Sequence, residues 1–194
     1  ADAGNSLPAP DVFIQTYQEV IIDSWREAKK IWSGVNFEAV LAQTLETSGL
    51  NVSTIDMHQV LLAYNWKMVP NVSLFEDTIQ VLDSLRQQGY KIGLVTNSMM
   101  PMWMRDIELQ AYGILDYFDA RVTSGDTGYM KPHPAIYERT LALLDVTAET
   151  AVFVGDRPAH DIAGANAVGL TSVWMNPPHT NHDLGDVLPD YEIN

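Results

Sequence analysis

Two aspartates set five positions apart are the residues of this sequence best suited to chemistry. They lie in the run Val152-Phe153-Val154-Gly155-Asp156-Arg157-Pro158-Ala159-His160-Asp161-Ile162-Ala163-Gly164. The short apolar stretch Ala151–Val154 reads as a buried strand that stops at Gly155. A strand-to-loop junction of this kind puts carboxylates in the crevice at the carboxyl end of a parallel sheet, where open α/β folds bind ligands. Two carboxylates in a loop that opens a helix suit a hard divalent cation such as magnesium, which prefers oxygen ligands. Read singly, Asp156 serves equally well as a turn residue and Asp161 as an N-cap. The choice depends on what other stretches stand beside them.

The elements that must position these acids fall into two regions. From Phe13 the apolar residues Phe13, Tyr17, Val20, Ile21, Trp25, Ala28, Ile31 and Trp32 keep helical spacing, with Asp11 as N-cap and Gly34 as stop. Val40, Leu41 and Leu45 mark a second helix ending near Gly49, and Ile55 to Trp66 a third, capped by Ser53 or Thr54. Residues 11–68 therefore read as all helical, and their aromatics, Trp25, Trp32, Tyr64 and Trp66, as mostly packing residues. Beyond Pro70 the pattern alternates. Helices are expected at Phe75–Gln88, 101–112, Pro134–Leu144 and Asp161–Val168. Strands are expected at Lys91–Val95, Ala120–Thr123, Ala151–Val154 and Thr171–Trp174. Alternation of this kind predicts an α/β fold with a parallel sheet covered by helices. The tail from Asn176, with Pro177, Pro178 and Pro189, reads as mostly irregular.

Composition removes several functions. With no cysteine among 194 residues, disulfides, thiolate zinc sites and a cysteine nucleophile are excluded. A formal charge of -14 repels nucleic acid and anionic membranes, so neither is an expected partner. An anionic substrate would need local cations or a metal. No apolar run reaches membrane-spanning length, and a cytoplasmic protein is the default. The Asn-Val-Ser triplets at 51 and 71 are read as chance matches to a glycosylation acceptor.

Four stretches stand at expected strand ends: Asp2-Ala3-Gly4-Asn5-Ser6-Leu7, Leu94-Val95-Thr96-Asn97-Ser98, Gly128-Tyr129-Met130-Lys131-Pro132, and Gly155-Asp156 with Asp161. In this order they resemble the haloacid dehalogenase-like hydrolase superfamily, in particular the group with a helical cap inserted after the first strand. The resemblance covers essentially the whole chain. It implies a Rossmann-like parallel-sheet core over residues 1–8 and 70–194, and an all-helical cap over 9–69. It also implies roles. Asp2 would be the nucleophile that forms an aspartyl-phosphate. The Gly4 carbonyl would bind magnesium. Thr96 and Asn97 would hold the phosphoryl group. Lys131 would pair with nucleophile and phosphate, and Asp156 and Asp161 would be the acidic metal ligands beside Asp2.

The physics of the reaction asks for these residue types. A carboxylate attacking a phosphoryl group meets like-charge repulsion, which Mg²⁺ and a lysine reduce. Two departures stand out. Phosphatases of the family carry an aspartate two residues after the nucleophile, where this chain has Gly4. General acid–base help of that kind contributes about 10²–10⁴-fold, so slow turnover of ordinary phosphate esters is expected. Only Ala1 precedes Asp2, whereas an apolar strand should lead into the nucleophile. The expectation is that the native chain extends upstream. Three functions follow: a magnesium-dependent phosphatase of a small phosphorylated metabolite, a catalytically feeble phosphate- or partner-binding relative, and a carbon–halogen hydrolase. The last needs no metal, so the retained acidic pair argues against it. Monomer and dimer both stay open.

Overall fold

The computed structural model describes residues 8–176 and 182–193. Asp2 and Gly4 therefore lie outside the described residues.

The amino-terminal part is helical, as its periodicity predicts. Helix α1 (Pro10–Ile31) begins with Pro10, whose fixed φ suits a first helical turn. Asp11 sits inside that turn rather than capping it, and the N-cap is Ala9. The helix ends before Gly34, at Trp32, which takes a left-handed conformation (φ 56°) and returns its N–H to the Ala28 carbonyl. Helix α2 (Phe37–Thr47) is capped by Asn36, whose side chain accepts from the Ala39 N–H. Helix α3 (Met57–Tyr64) is shorter than expected. Asp56 caps it, while the expected caps Ser53 and Thr54 lie in a preceding single 3₁₀ turn (Val52–Thr54). Val20, Ala28, Val35 and Val40 form a buried cluster with Met130 from the rest of the chain, and Tyr17, Ile21 and Trp25 pack on it. Phe37, Leu41 and Leu61 form a second cluster with Met104. The helical region is thus seated on the α/β region through shared apolar cores.

Beyond residue 70 come α4 (Thr78–Gln87), β1 (Gly93–Thr96), α5 (Met102–Ala111), β2 (Ala120–Thr123), the short α6 (Ser124–Thr127), α7 (Pro134–Leu144) and β3 (Val152–Gly155). A π-helical turn (Pro158–Ile162) then leads into α8 (Ala163–Ala167), followed by β4 (Thr171–Met175) and β5 (Tyr191–Ile193). The strand β2 and the helix α7 coincide with the expected spans. The helix stops expected at Gly113 and Gly169 are found, each with positive φ (71° and 80°).

Among the described residues the paired strands all run parallel: β1 with β2, and β3 with β4 with β5. A core of Val122, Ile136, Tyr137, Ala165 and Leu170 lies under α7, and Val95 of β1 and Phe153 of β3 both pack against it. One helix therefore ties the two sheets together.

One expectation fails here: Ala151–Val154 has the pattern of a buried strand, yet Val152 and Val154 are 61% and 53% exposed. Among the described residues β3 pairs only with β4, and nothing covers the face carrying these two valines. In the mostly irregular tail, the three-residue β5 extends the sheet with Val173 opposite Tyr191. A run of three residues just after Pro189 is too short to signal a strand by its own pattern.

Asp119 pins the entry to β1. Its carboxylate accepts from the Ile92 N–H at 2.8 Å and pairs with Arg86 of α4. The Arg86 guanidinium and that N–H hold its carboxyl below the usual aspartate value. Replacing Asp119 by Ala is expected to lower stability by about 1 kcal/mol, a charge-assisted hydrogen bond discounted for its exposure. Because the folded-state pKa is depressed, this contribution is complete above the ordinary value of 3.8 and fades as pH falls below it. Urea melts of both proteins at neutral and acid pH should show the difference shrinking on acidification.

Candidate active site

The expected site residues lie at the carboxyl ends of β1 and β3 and in the loop before α7. Thr96 is the last residue of β1, paired in register with Thr123. Its carbonyl accepts from the Ser98 N–H at 3.1 Å, which turns the chain sharply past the strand end. Asn97, inside that turn, is clipped to the Lys131 backbone in both directions. Its Oδ1 accepts from the Lys131 N–H at 2.7 Å, and its Nδ2 donates to the Lys131 carbonyl at 3.0 Å. Two segments 34 residues apart are thereby fixed to each other.

The loop carrying Lys131 is held from the helical region as well. The Met130 N–H donates to the Trp32 carbonyl at 2.8 Å, and the Gly34 N–H donates to the Gly128 carbonyl at 2.7 Å. Between them Ser33 and Tyr129 form an antiparallel bridge. The lysine side chain then spans the two sheets. Its Nζ donates to the Val95 carbonyl of β1 at 3.1 Å and lies 5.5 Å from the ring centre of Phe153 in β3.

The same ammonium meets Asp161 Oδ1 at 2.6 Å, with the two side chains only 13% and 3% exposed. Asp161 Oδ2 accepts from the Arg157 N–H at 3.0 Å, which rigidifies the acidic loop. At that distance the buried oxygen and the ammonium form a close ion pair. Asp161 is not an N-cap: it sits within the π-helical turn. Asp156 opens the same loop. Trp174 of β4 donates its indole N–H to the Asp156 carbonyl at 3.1 Å, while the carboxylate is 44% exposed with His182 Nε2 3.9 Å away.

The structure thus brings Thr96, Asn97, Lys131 and Asp161 to one locality, and puts Asp156 in the loop that carries Asp161. Among the described residues no group of three histidine or acidic side chains is close enough to hold a metal unaided. Two carboxylates carried by one loop, Asp156 half-exposed and Asp161 buried, nevertheless offer the oxygen chemistry of a hard cation completed by oxygen ligands from elsewhere.

Sequence reasoning missed two features of the site. Trp174 braces Asp156 from the next strand, and a strand-end tryptophan gives no signal of that in sequence. Gly155 is also required: a Cβ there would stand 2.4 Å from Asp161 Cβ. The Gly-Asp pair could have suggested this close approach. His160, between the acids, has its pKa lowered chiefly by burial. Its ring meets Trp32 edge-on at 5.4 Å, linking the acidic loop to the helical region. A cavity of about 410 Å³ opens between α1 and α2, lined in part by Ser33 and Gly34, which hold the lysine loop.

Comparison with known proteins decides the family. The model for haloacid dehalogenase-like hydrolases matches residues 11–175. The chain belongs to that family. Over 115 residues it is 39% identical to a ribulose-1,5-bisphosphate 5-phosphatase of Halopiger xanaduensis, covering 59% of this chain and 47% of that protein. Among solved structures it resembles a haloacid dehalogenase-like phosphatase from Thermococcus onnurineus, with a TM-score of 0.57 and 27% identity, covering 98% of this chain and 90% of that one. It also resembles a 2-haloacid dehalogenase from Pseudomonas syringae pv. Tomato DC3000, with a TM-score of 0.63 and 28% identity, covering 96% and 77%. The chain spans about half the length of the curated relatives it matches.

A buried ion pair predicts asymmetric mutant costs. Lys131→Met leaves the Asp161 carboxylate buried beside an apolar chain, and removing one partner of such a pair costs about 3–5 kcal/mol. The double variant Lys131→Met with Asp161→Asn is expected to recover much of that loss. Denaturant melts of the wild type, both single variants and the double variant check it.

Proposed function

We propose that this protein is a magnesium-dependent phosphohydrolase acting on a small phosphorylated metabolite through an aspartyl-phosphate. The observation that carries this reading is the Lys131 ammonium held between the Asp161 carboxylate and the Val95 carbonyl, at the ends of both sheets. A fixed cation beside a strand-end threonine and asparagine is what a phosphoryl group needs for binding and charge stabilisation. The phosphatase relatives support the substrate class.

In this reading residues 9–69 form a cap over a core of 1–8 and 70–194. Thr96 offers its hydroxyl, and Asn97 fixes the lysine loop. Lys131 donates to the phosphoryl oxygens and orients the nucleophile, Asp2. One Asp2 oxygen attacks phosphorus, the ester P–O bond breaks, and the leaving alkoxide takes a proton from water. Water then cleaves the acyl phosphate and regenerates the carboxylate. Asp2, the Gly4 carbonyl, Asp156 and Asp161 would hold Mg²⁺, which supplies Lewis-acid neutralisation of phosphoryl charge. Gly4 has no side chain to protonate the leaving group, so substrates with good leaving groups turn over fastest. No helix among the described residues is long and apolar enough to cross a membrane. With a chain free of cysteine, this favours a cytoplasmic protein.

A haloacid dehalogenase is the second reading, favoured by the resemblance to the Pseudomonas syringae structure. Phosphate release from a panel of acyl phosphates and phosphate esters, with and without Mg²⁺, separates the readings. The expected result is Mg²⁺-dependent release that Asp2→Asn abolishes and Gly4→Asp raises by about 10-fold or more for esters. Metal-independent halide release from 2-haloacids would favour the dehalogenase. Phosphate-mimic binding with no turnover would leave a binding protein.

A further inference from the structure

The acidic turn is braced from behind by a residue that never reaches the crevice's charged groups. Tyr137 of α7 is 1% exposed, and its hydroxyl donates to the His160 carbonyl at 2.6 Å, with the Asp161 carbonyl 3.4 Å away. Both carbonyls belong to the π-helical turn Pro158–Ile162. Such turns interrupt the regular helical bonding pattern and recur at functional sites. Here the turn is closed by the Asp161 N–H donating to the Arg157 carbonyl at 2.7 Å and the Ala163 N–H to that of Pro158.

The surroundings of Tyr137 fix where its hydroxyl points. Its ring stands edge-on to Phe153 at 5.0 Å, and Phe153 is the ring that lies beneath the Lys131 ammonium. On the other side is Gly164, where a Cβ would fall 2.3 Å from the tyrosine oxygen and 2.5 Å from a ring carbon. Glycine at 164 therefore admits the phenol, as glycine at 155 admits Asp161. Burial pushes the Tyr137 hydroxyl well above its ordinary pKa, so it stays a donor across the working range. Deleting it would remove a short hydrogen bond to the partly buried His160 carbonyl.

We propose that Tyr137 is a positioning residue: its hydroxyl pins the π-helical turn through the His160 carbonyl and so holds Asp161 against Lys131. The proposal rests on the reading of that pair as part of the catalytic site. It assigns Tyr137 no contact with substrate or metal.

Tyr137→Phe tests it, since the ring and its packing stay. Nuclear magnetic resonance of the metal-free protein should show faster amide exchange at Asp161 and loss of the protected Lys131 ammonium signal, with α7 and β4 unchanged. Titration calorimetry with Mg²⁺ alone should show affinity reduced by roughly 10-fold, the low end for residues that orient ligands from outside. Gly164→Ala, which displaces the same ring, should give the same signature. Wild-type amide exchange and ammonium signal in a folded Tyr137→Phe would overturn the proposal. So would faster amide exchange with an unchanged ammonium signal, because the hydroxyl would then brace the fold without placing the acid. If the wild type itself binds no Mg²⁺, the magnesium reading fails, and the metal-free spectra still decide the role of Tyr137.

Discussion

One buried ion pair constrains the rest of this molecule. In a chain of formal charge -14, an ammonium is drawn out of water and set against a carboxylate that is itself almost wholly enclosed. Such a pair is weak evidence for stability, because desolvation consumes most of the Coulombic gain. In the function proposed above, the pair acts by preorganisation. A charge fixed before substrate arrives costs no reorganisation when phosphoryl charge develops. The surrounding geometry follows from that need. Asn97 grips the lysine backbone from one strand end, the Val95 carbonyl takes the ammonium from β1, and the Arg157 N–H holds the far carboxylate oxygen.

The fold delivers these groups by bringing separate segments under one helix. Parallel strands put their carboxyl ends on the same side, so loops after β1 and β3 meet without further guidance. Helix α7 packs across β1, β2 and α8, and the loop that feeds it carries Lys131. The helical region adds its own restraint, because Trp32 and Gly34 are hydrogen-bonded to the strand-like stretch just before the lysine. A movement of those helices would therefore be felt at the ammonium, which is how a lid can be coupled to chemistry.

Much of this was legible in the sequence. The β-α alternation after Pro70 gave parallel strands at nearly the observed places, since turn residues and apolar runs there act locally. Lys131, Asn97 and the acidic pair stand out only through the resemblance carried by four strand-end stretches in order, since each residue alone fits a turn, a cap or a surface charge equally well. What stayed hidden depends on three-dimensional closeness. The exposure of Val152 and Val154 on one face of β3 is a matter of what packs there, which an apolar run cannot reveal. Taken alone, Asp161 fits a helix cap as well as a metal ligand because a π-helical turn has no sequence signature, and the glycines at 155 and 164 matter only for the side chains pressed against them. The strand β5 is too short to signal itself by its own pattern, and Trp32 ends α1 in a conformation usually left to glycine.

The central claim is that a single crevice gathers the lysine, the acidic loop and a phosphoryl group around one cation. Its most direct test is a crystal structure of the protein grown with Mg²⁺ and orthovanadate. The account predicts vanadate against the Lys131 ammonium and the Thr96 hydroxyl, with the metal bridging the anion and the Asp156–Asp161 loop. Vanadate bound elsewhere, or a metal that ignores both aspartates, would contradict it.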